Sequence, residues 1–535
     1  MRKNYIHQTI RILTLMLFFY SMQGFTLQPA PMSFPFPIEH YDQTISDYIK
    51  SGTVTEKPSL DPKVVKSQYE NFIKKYLFPW SDEYHAELSA ADLKPDELKK
   101  ITDDYSDSRG RMSCDPASEN FNTLYPNSWV ENFKTIINSS QFEIGNSAQG
   151  KGIALDNLHM RALPTDDRYF HDCNTPGEGD SFDYMQMSAL WAGTSVYIIA
   201  ESPDHNWYLV RSPDVTAWVK KTGIKRVSDE FVSVWTKAAN SDHSLIAVNS
   251  PINTKPLVIA DDATQTKRFS GYMGAVFPLD FSIKSDGNGF HILIPVQESD
   301  LPVTAYLPQE DASVIPLLLT EDNRNRVINN MIGRPYGWGS VNMENTQDFL
   351  NDCSQELKSF FTPFGIWLPR GSAAQVDPSM IVGAVDQTFP AGTEERIAKL
   401  VKDADKHPFT IVNIHGHIFM YLGSYENVKD PSHTVVPLTY QNMWGLKPMS
   451  QDGRYVIGKA VLFPLLSHYP EKYPAGDLEL SSPASKAVFI VAYLDQLPHD
   501  SGLATNQLWS GFGMGSHATN KLRSLDHWYS MQPTF

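Results

Sequence analysis

The chain has 535 residues, which is too long for one hydrophobic core, and its 41% hydrophobic content suffices for several packed domains rather than a disordered chain. Its 45 lysines and arginines against 61 aspartates and glutamates give a formal charge of -16. This charge repels phosphate backbones and anionic membrane surfaces, so nucleic acid is not expected as a partner.

The first segment has the pattern of an export signal. A basic start precedes an apolar run from Ile12 to Met22, which has the length of a signal-peptide core and is short for a bilayer span. We therefore expect residues 1–26 to be a signal peptide and the protein to be exported, as a periplasmic or secreted protein without membrane contact after cleavage. An uncleaved anchor is the alternative, because no A-x-A cleavage site follows the run.

Residues 40–145 are predicted to form a helical N-terminal region. In "SLDPKVVKSQYENFIKKYLFPW", Asp61 is placed to cap a helix and Pro62 suits its first turn. The apolar residues that follow recur at helical spacing, and Pro79 is expected to stop the helix.

Two small β-barrels are predicted next, at residues 150–228 and 229–312. The alternating segment "TSVYIIAES", the turn "PDHN" and the segment "WYLVRS" predict a hairpin. A similar order recurs in "MGAVFPLD" and "FHILIPV", which indicates a tandem repeat of the module.

An α+β domain is predicted at residues 318–480. The segment "SHYPEKYPAGDLELSSP" is interpreted as its end. Residues 481–535, including the strand-like "AVFIVAYL", are then a C-terminal extension.

Cys353 is the candidate nucleophile. With only three cysteines in the chain, Cys114 and Cys173 can pair and leave Cys353 free. Apolar residues at helical spacing after Cys353 predict a helix that begins near residues 351–352 and ends at Gly365. A cysteine in the first turn of a helix is expected to have a lowered thiol pKa. A small buried structural residue is the alternative interpretation.

A thiol nucleophile needs a base, and "TIVNIHGHIFMYLGSY" supplies His417 on a predicted strand. His415 would share its face in an H-x-H pattern, which also suits a metal ion. No H-x-x-x-D or HExxH motif accompanies the pair, so no metal is expected. The sequence also has no G-x-S-x-G elbow and no Walker or dinucleotide fingerprint, and no cofactor is expected.

The segments "PYGWGS", "DCSQELKSFFTPFGIWLPRGSAAQ" and "GHIFMYLG" resemble the NlpC/P60 family of papain-like cysteine peptidases. Earlier segments, "YENFIKKYLFPW", "MRALPT" and "FDYMQMSALWAGTSVYI", resemble one branch of that family. The resemblance implies a multidomain fold class: a papain-like α+β NlpC/P60 catalytic domain preceded by two SH3-like β-barrels and a helical N-terminal region. Proteins of this arrangement act as γ-D-glutamyl-L-diamino acid endopeptidases on peptidoglycan stem peptides.

The resemblance also assigns catalytic roles. Cys353 matches the nucleophile and His417 the general base. The third residue of the family is usually His, and here "YQNMWGLK" places Gln441 at that position. The side-chain carbonyl of Gln441 is able to accept a hydrogen bond from the imidazole, although it stabilises an imidazolium less well than a charged group.

The substrate-binding residues follow from the same resemblance. Asp352 matches the acidic residue that binds the free amine of an N-terminal L-Ala, although it is also suited to be a helix N-cap. Ser354, Ser372, Tyr336 and Trp338 match other positions around the substrate, and the two aromatic residues have core packing as their alternative.

Other residues have no firm assignment from the sequence. Arg370 has two interpretations, contact with a substrate carboxylate or a structural role. Glu178 or Asp180 is placed near the site only by analogy, and the loop "SPDVTAWV" receives no role.

The predicted function is hydrolysis of the γ-D-glutamyl to L-diamino acid bond in stem peptides with a free N-terminal L-Ala, during cell wall turnover, by a monomer. One alternative is a silent peptidoglycan-binding protein that acts through its SH3-like barrels. Another is a Cys/His amidase or acyltransferase.

Overall fold

The computed structural model describes residues 33–50, 61–84, 110–142 and 150–498, the last range with short gaps at 180, 242, 251–256, 285–286, 319, 343–347, 408, 427–434, 449–452, 467, 470–479, 482 and 487. The predicted signal peptide and the end of the C-terminal extension lie outside these residues. Within them, no helix has both the length and the apolar composition needed to cross a membrane.

The described part of the N-terminal region contains three α-helices, and these join three different cores, whereas the sequence predicted one helical domain. They are α1 (Ile45–Lys50), α2 (Pro62–Leu77) and α3 (Asn127–Ser139). Buried residues of α1 pack into the core of the C-terminal domain, those of α2 into the core of the second barrel, and those of α3 into the core of the first barrel. Each described helix therefore contributes buried residues to the core of a neighbouring domain.

The central helix α2 begins as its sequence predicts. Asp61 accepts a hydrogen bond from the backbone N–H of Lys63 at 2.8 Å, and Pro62 is the first helical residue. Buried Gln68 on this helix donates to the carbonyl oxygens of Val382 and Leu494 at 2.7 and 2.8 Å. The helix thus ties the N-terminal region to the C-terminal domain.

The first barrel is one continuous antiparallel sheet in the order β5-β4-β8-β7-β6-β3-β9, with β2 paired to β6. Its strands are β2 (Gln141–Phe142), β3 (Lys151–Ala154), β4 (Leu158–Arg161), β5 (Gln186–Leu190), β6 (Ser195–Glu201), β7 (Trp207–Arg211), β8 (Thr216–Lys220) and β9 (Ile224–Arg226). The predicted hairpin is β6 and β7, whose register pairs Tyr197 with Arg211.

The disulfide between Cys114 and Cys173 ties the segment before α3 to this barrel. It leaves Cys353 as a free, buried thiol. The bridged loop continues to Phe182, a residue in the wall of the candidate site.

The second β module begins later than its predicted boundary at residue 229, because residues 229–239 form helix α4 (Asp229–Ala239). Ser228 caps this helix by accepting from the N–H of Phe231, and Phe231 and Trp235 bury one helical face. The strands form the sheets β13-β10-β16, β11-β12 and β14-β15. They are β10 (Leu245–Val248), β11 (Leu257–Ala260), β12 (Lys267–Gly271), β13 (Val276–Pro278), β14 (Gly289–Ile294), β15 (Val303–Pro308) and β16 (Ala312–Ile315).

The C-terminal domain packs helices on both faces of a mixed sheet ordered β1-β21-β20-β19-β18-β24-β17. Its helices are α5 (Glu321–Met331), α6 (Cys353–Phe361) and α7 (Thr393–Ala404). The strands of this sheet are β1 (Ser33–Pro35), β17 (Ala384–Asp386), β18 (Thr410–Ile414), β19 (His417–Glu426), β20 (Val435–Leu446), β21 (Arg454–Pro464) and β24 (Ile490–Tyr493), and a separate short pair is β22 (His468–Tyr469) with β23 (Leu480–Ser481).

The predicted boundary at residue 480 is wrong, because β24 belongs to this sheet. Ile490–Tyr493 pairs with β18 on one side and β17 on the other. Val491, Ala492 and Tyr493 are buried, so the apolar run that looked like a separate extension fills an interior strand position. At the opposite edge, β1 pairs with β21 in parallel and adds residues from before the predicted helical region.

Candidate active site

Cys353 is the first residue of α6, and its helix forms as the sequence predicts. Asp352 is the N-cap, with its carboxylate accepting from the N–H of Gln355 at 2.9 Å. The helix buries Leu357 and Phe360 in the core of the C-terminal domain, and a following turn ends at Gly365 with φ 70°.

Asp352 is held by a buried arginine rather than standing unpaired. Arg370 donates to both carboxylate oxygens of Asp352, at 2.8 and 2.7 Å, and to the Ser354 hydroxyl at 2.5 Å. Ser354 in turn donates to Asp352 at 2.9 Å. Burial alone would raise the pKa of the Asp352 carboxyl, but the charge and hydrogen bonds of Arg370 hold that pKa below its ordinary value. These contacts favour the structural interpretation of Arg370 over contact with a substrate carboxylate.

The thiol pKa differs from the sequence prediction. Burial and the neighbouring charge of Asp352 raise the pKa of Cys353 to about 12. These effects outweigh the first turn of the helix, which was expected to lower the pKa. The raised pKa means that the Cys353 thiol is neutral at physiological pH.

The cysteine lies against the strand that begins with His417. The backbone N–H of Ile418, the next residue, donates a hydrogen bond to Cys353. Strands β19 and β20 pair from Met420 opposite Tyr440 to Glu426 opposite Val435. Cys353 therefore contacts β19 before the paired region begins.

His417 is held by Gln441 across the two strands. Its Nε2 lies 2.8 Å from Oε1 of Gln441, the residue that the sequence placed third in the catalytic group. Both side chains are buried, and burial lowers the pKa of His417 to about 4. The imidazole is therefore neutral at physiological pH.

His415 does not share a strand face with His417, contrary to the sequence prediction. Strand β18 ends at Ile414 and β19 starts at His417, so His415 and Gly416 form the two-residue turn between them. Gly416 has φ 77°, a conformation that glycine adopts without strain. In the part of the chain that the structure describes, no group of three His, Cys, Asp or Glu side chains is arranged to hold a metal ion.

Tyr336 and Trp338 form a half-buried aromatic wall with the first barrel. Phe182 lies 6.2 Å from the Tyr336 ring and 5.3 Å from the Trp338 ring, and Tyr184 lies 5.5 Å from Trp338. Burial, followed by electrostatic interactions with Cys353 and Asp352, raises the pKa of Tyr336 well above its ordinary value. Tyr336 is therefore close to Cys353 and keeps its hydroxyl proton.

The second glycine of "PYGWGS", Gly339, occupies a position where a larger residue would not fit. Its φ is 59°, and a Cβ there would lie 2.5 Å from the carbonyl oxygen of Gln186 in β5. The side chain of Gln186 donates to the carbonyl of Gly339 at 3.1 Å. The motif is thus shaped for close contact with the first barrel.

Two further polar contacts join the first barrel to the site, and sequence reasoning identified neither. Ser188 in β5 accepts from Nε of Arg370 at 3.0 Å. Asp214, in the loop "SPDVTAWV" that received no role, pairs with Lys358 of α6 at 3.0 Å. These partners are separated by 182 and 144 positions, so no local pattern in the sequence marks them.

The structure also describes two other residues considered from the sequence, Ser372 and Glu178. Ser372 is half-buried in the turn that follows Arg370. Glu178 lies beside Gly177, where a Cβ would approach the Trp444 ring to 3.2 Å. Burial and then the charge of Asp172 raise the pKa of Glu178. Asp180 lies outside the described residues.

Comparisons with known proteins bear on the fold of the chain. A family model for the SH3 domain of the SH3b1 type matches residues 168–220, within the first barrel. A solved structure of an NlpC/P60 endopeptidase from Photobacterium damselae subsp. piscicida aligns with a TM-score of 0.69 at 24% identity, covering 87% of this chain and 100% of that one. This chain has the fold of that endopeptidase.

A second structure, an NlpC/P60 family protein from Bacillus cereus, aligns with a TM-score of 0.39 at 14% identity, covering 63% of this chain and 98% of that one. No curated protein matches the sequence. The fold likeness therefore comes from the Photobacterium structure.

Proposed function

We propose that the protein is a cysteine endopeptidase that hydrolyses the bond between γ-D-glutamate and an L-diamino acid in peptidoglycan stem peptides. The observation that carries the proposal is the placement of Cys353 at a helix start against the strand of His417, with Gln441 on the far nitrogen of the ring. This is the nucleophile, base and orienting group of a thiol hydrolase. The fold likeness to an NlpC/P60 endopeptidase supports the same assignment.

The reaction starts from a neutral pair. Because Nε2 of His417 contacts Gln441, Nδ1 is the nitrogen that takes the thiol proton as the sulfur of Cys353 attacks the γ-carbonyl carbon. The carbonyl oxygen becomes an oxyanion. The backbone N–H of Cys353, in the first turn of α6, and the protonated hydroxyl of Tyr336 are the donors that this site offers to it.

Collapse of the intermediate breaks the C–N bond, and the imidazolium of His417 gives its proton to the departing amine of the diamino acid. The acyl group remains on Cys353 as a thioester. Water then attacks this thioester with His417 as base, which releases the carboxylate product and restores the thiol. The step needs no cofactor.

We propose further that the free amine of the N-terminal L-Ala binds at the side of the site formed by Asp352. The carboxylate is shared with Arg370, so the pair offers an oriented dipole instead of a full negative charge. An acylated amine carries no charge, so it would lose the electrostatic attraction of the Asp352 carboxylate. The substrate would then be a released wall peptide.

Contact between Gln441 and His417 also supports a catalytic protein over a silent wall-binding one. The uncommon third residue was the feature that favoured the silent alternative, and Gln441 keeps a hydrogen-bond acceptor on the ring. The two SH3-like barrels remain candidates for contact with peptidoglycan in either case.

The test uses the full chain with L-Ala-γ-D-Glu-diaminopimelate, its N-acetylated form and the α-linked isomer, with Cys353→Ala as the control. We expect cleavage of the free-amine γ-linked peptide alone, and none by the variant. Absence of cleavage of that peptide by the wild type would refute the endopeptidase. Equal cleavage of the acetylated form would refute the free-amine requirement and leave the catalytic assignment in place.

A further inference from the structure

The hydrogen-bond chain behind His417 extends beyond Gln441 to the backbone of β21. Nε2 of Gln441 lies 2.9 Å from Oγ1 of Thr439, and Oγ1 of Thr439 lies 2.6 Å from the carbonyl oxygen of Phe463. Thr439, Gln441 and Phe463 are fully buried, and His417 is nearly so. Buried polar groups of this kind are expected to satisfy one another, because water does not reach them.

The Phe463 carbonyl at the end of this hydrogen-bond chain determines which group donates in each of its hydrogen bonds. A backbone carbonyl only accepts, so the single proton of Thr439 is donated to Phe463. The Thr439 oxygen then accepts from the amide NH₂ of Gln441, which turns the carbonyl oxygen of Gln441 towards His417. Nε2 of His417 must therefore carry a proton, and Nδ1 presents a lone pair.

A flipped amide at Gln441 would break the chain. The side-chain oxygen of Gln441 and the carbonyl oxygen of Phe463 would then compete for the single hydroxyl proton of Thr439. Whichever of the two loses that proton would face the Thr439 oxygen as a second buried acceptor. The NH₂ group would face His417 and require a lone pair on Nε2. The proton would move to Nδ1, and the ring would lose the ability to take a proton from Cys353.

We infer that Thr439 is a positioning residue, which selects the base-competent tautomer of His417 by fixing the amide orientation of Gln441. The inferred tautomer rests only on the hydrogen-bond chain from His417 through Gln441 and Thr439 to Phe463. Its consequence for catalysis rests on the proposed function. Thr439 touches neither the substrate nor the thiol in this scheme, and it acts through Gln441.

The first experiment compares Thr439→Val with Thr439→Ser in the full chain. Valine has nearly the shape of threonine but no hydroxyl, and serine restores the hydroxyl without the methyl group. We expect Thr439→Val to lower kcat on the stem peptide by at least roughly tenfold with little change in KM, within the roughly 10⁴-fold loss that a wrong tautomer costs a catalytic triad. Thr439→Ser should stay within about threefold of the wild type, because the chain is intact.

A spectroscopic measurement tests the tautomer without using activity. In protein labelled with ring-¹⁵N histidine, with His417→Gln to assign the signals, the wild type should show a protonated Nε2 and an unprotonated Nδ1. Thr439→Val should show a mixture or the reverse. If Thr439→Val does not fold, Thr439→Ala provides the same comparison.

A double substitution separates tautomer selection from a general packing defect. In a Gln441→Glu background both side-chain oxygens accept, so there is no amide to orient, and adding Thr439→Val should then cost less than about threefold in kcat. An equal loss in both backgrounds, equal losses for valine and serine, or an unchanged tautomer in Thr439→Val would overturn the inference. If the wild type cleaves no stem peptide, the proposed function fails, and the ¹⁵N spectra still decide the role of Thr439.

Discussion

On the cysteine side of the site the structural contacts are ionic, whereas on the histidine side they are neutral. Asp352 and Arg370 form a buried, bidentate ion pair next to Cys353. His417 is held by the amide of Gln441, and that amide by the hydroxyl of Thr439.

This difference separates two tasks. Fixed charges are able to orient a charged substrate, and a buried ion pair is sensitive to the loss of either partner. A neutral chain leaves the histidine uncharged until the thiol gives up its proton. In the proposed mechanism, the reaction of this pair therefore starts from a thiol and an imidazole instead of from a preformed thiolate and imidazolium.

The largest expected effect comes from removing the charge on one side only. Arg370→Met leaves the Asp352 carboxylate buried without its partner and should lower the free energy of unfolding by about 3–5 kcal/mol. Urea denaturation at pH 7 measures the loss. The matched control is the double variant Asp352→Asn with Arg370→Met, which removes both charges and should recover most of the stability. A loss below about 1 kcal/mol in the single variant would show that the ion pair is not the organising contact.

The histidine side predicts a loss of stability in acid. Because the pKa of His417 is lowered to about 4 from 6.5, the unfolded chain binds the proton more readily than the folded one. Its contribution is complete above pH 6.5 and is lost as the pH falls to about 4, by about 3 kcal/mol. The pH dependence of unfolding in the wild type and in His417→Gln isolates this contribution, and parallel curves would contradict it.

The cysteine side predicts the opposite direction in base. The pKa of Cys353 is raised to about 12 from 9, so the unfolded chain loses its proton first, and stability should fall as the pH rises above 9. Cys353→Ser should flatten the stability curve there. An unchanged slope in this variant would argue against a buried, neutral thiol.

Gln441→Glu places a negative charge beside His417, so that the histidine side would have an ionic contact like the cysteine side. A carboxylate next to the ring should raise the pKa of His417 by roughly 1–3 units, because it favours the imidazolium. The acid limb of kcat/KM should move upward by the same amount, and Cys353 should react faster with iodoacetamide at pH 7. Gln441→Met, which removes the acceptor without adding a charge, should show neither change. A Gln441→Glu profile that matches the wild type would mean that residue 441 does not act on the ring.

A smaller effect is expected where the first barrel contacts α6. Asp214→Asn removes the ionic partner of Lys358 but keeps the shape of the loop, and should cost about 1 kcal/mol. Thermal unfolding of this variant beside Asp204→Asn, a substitution in a different turn of the same barrel, measures the contact. Equal shifts in both variants would leave the Asp214 contact without a specific role.

The sequence predicted the features that depend on local patterns. The helix at Cys353 follows from apolar spacing, and the α2 start follows from Asp61 and Pro62. Cysteine parity was sufficient to suggest the bridge between Cys114 and Cys173. These patterns involve residues a few helical turns apart, or only the number of cysteines, so they can be recognised without knowing the fold.

Other features depend on packing between distant segments. The strand at 490–493 looked like an extension because its neighbours in the sheet, β18 and β17, lie roughly 80 to 110 positions earlier in the chain. The raised thiol pKa follows from burial beside Asp352, which outweighs the helix start. The turn at His415 was missed because the alternating pattern continues through it, although Gly416 is a signal for a turn.

The most direct test of the Cys353 and His417 pair uses a chloromethyl ketone analogue of L-Ala-γ-D-Glu, with the reactive group in place of the scissile bond. Mass spectrometry of the labelled full chain should find one adduct on Cys353, formed slowly in His417→Gln and blocked by the stem peptide. An adduct at another residue, or labelling of Cys353 at the same rate without His417, would contradict the assignment of the pair.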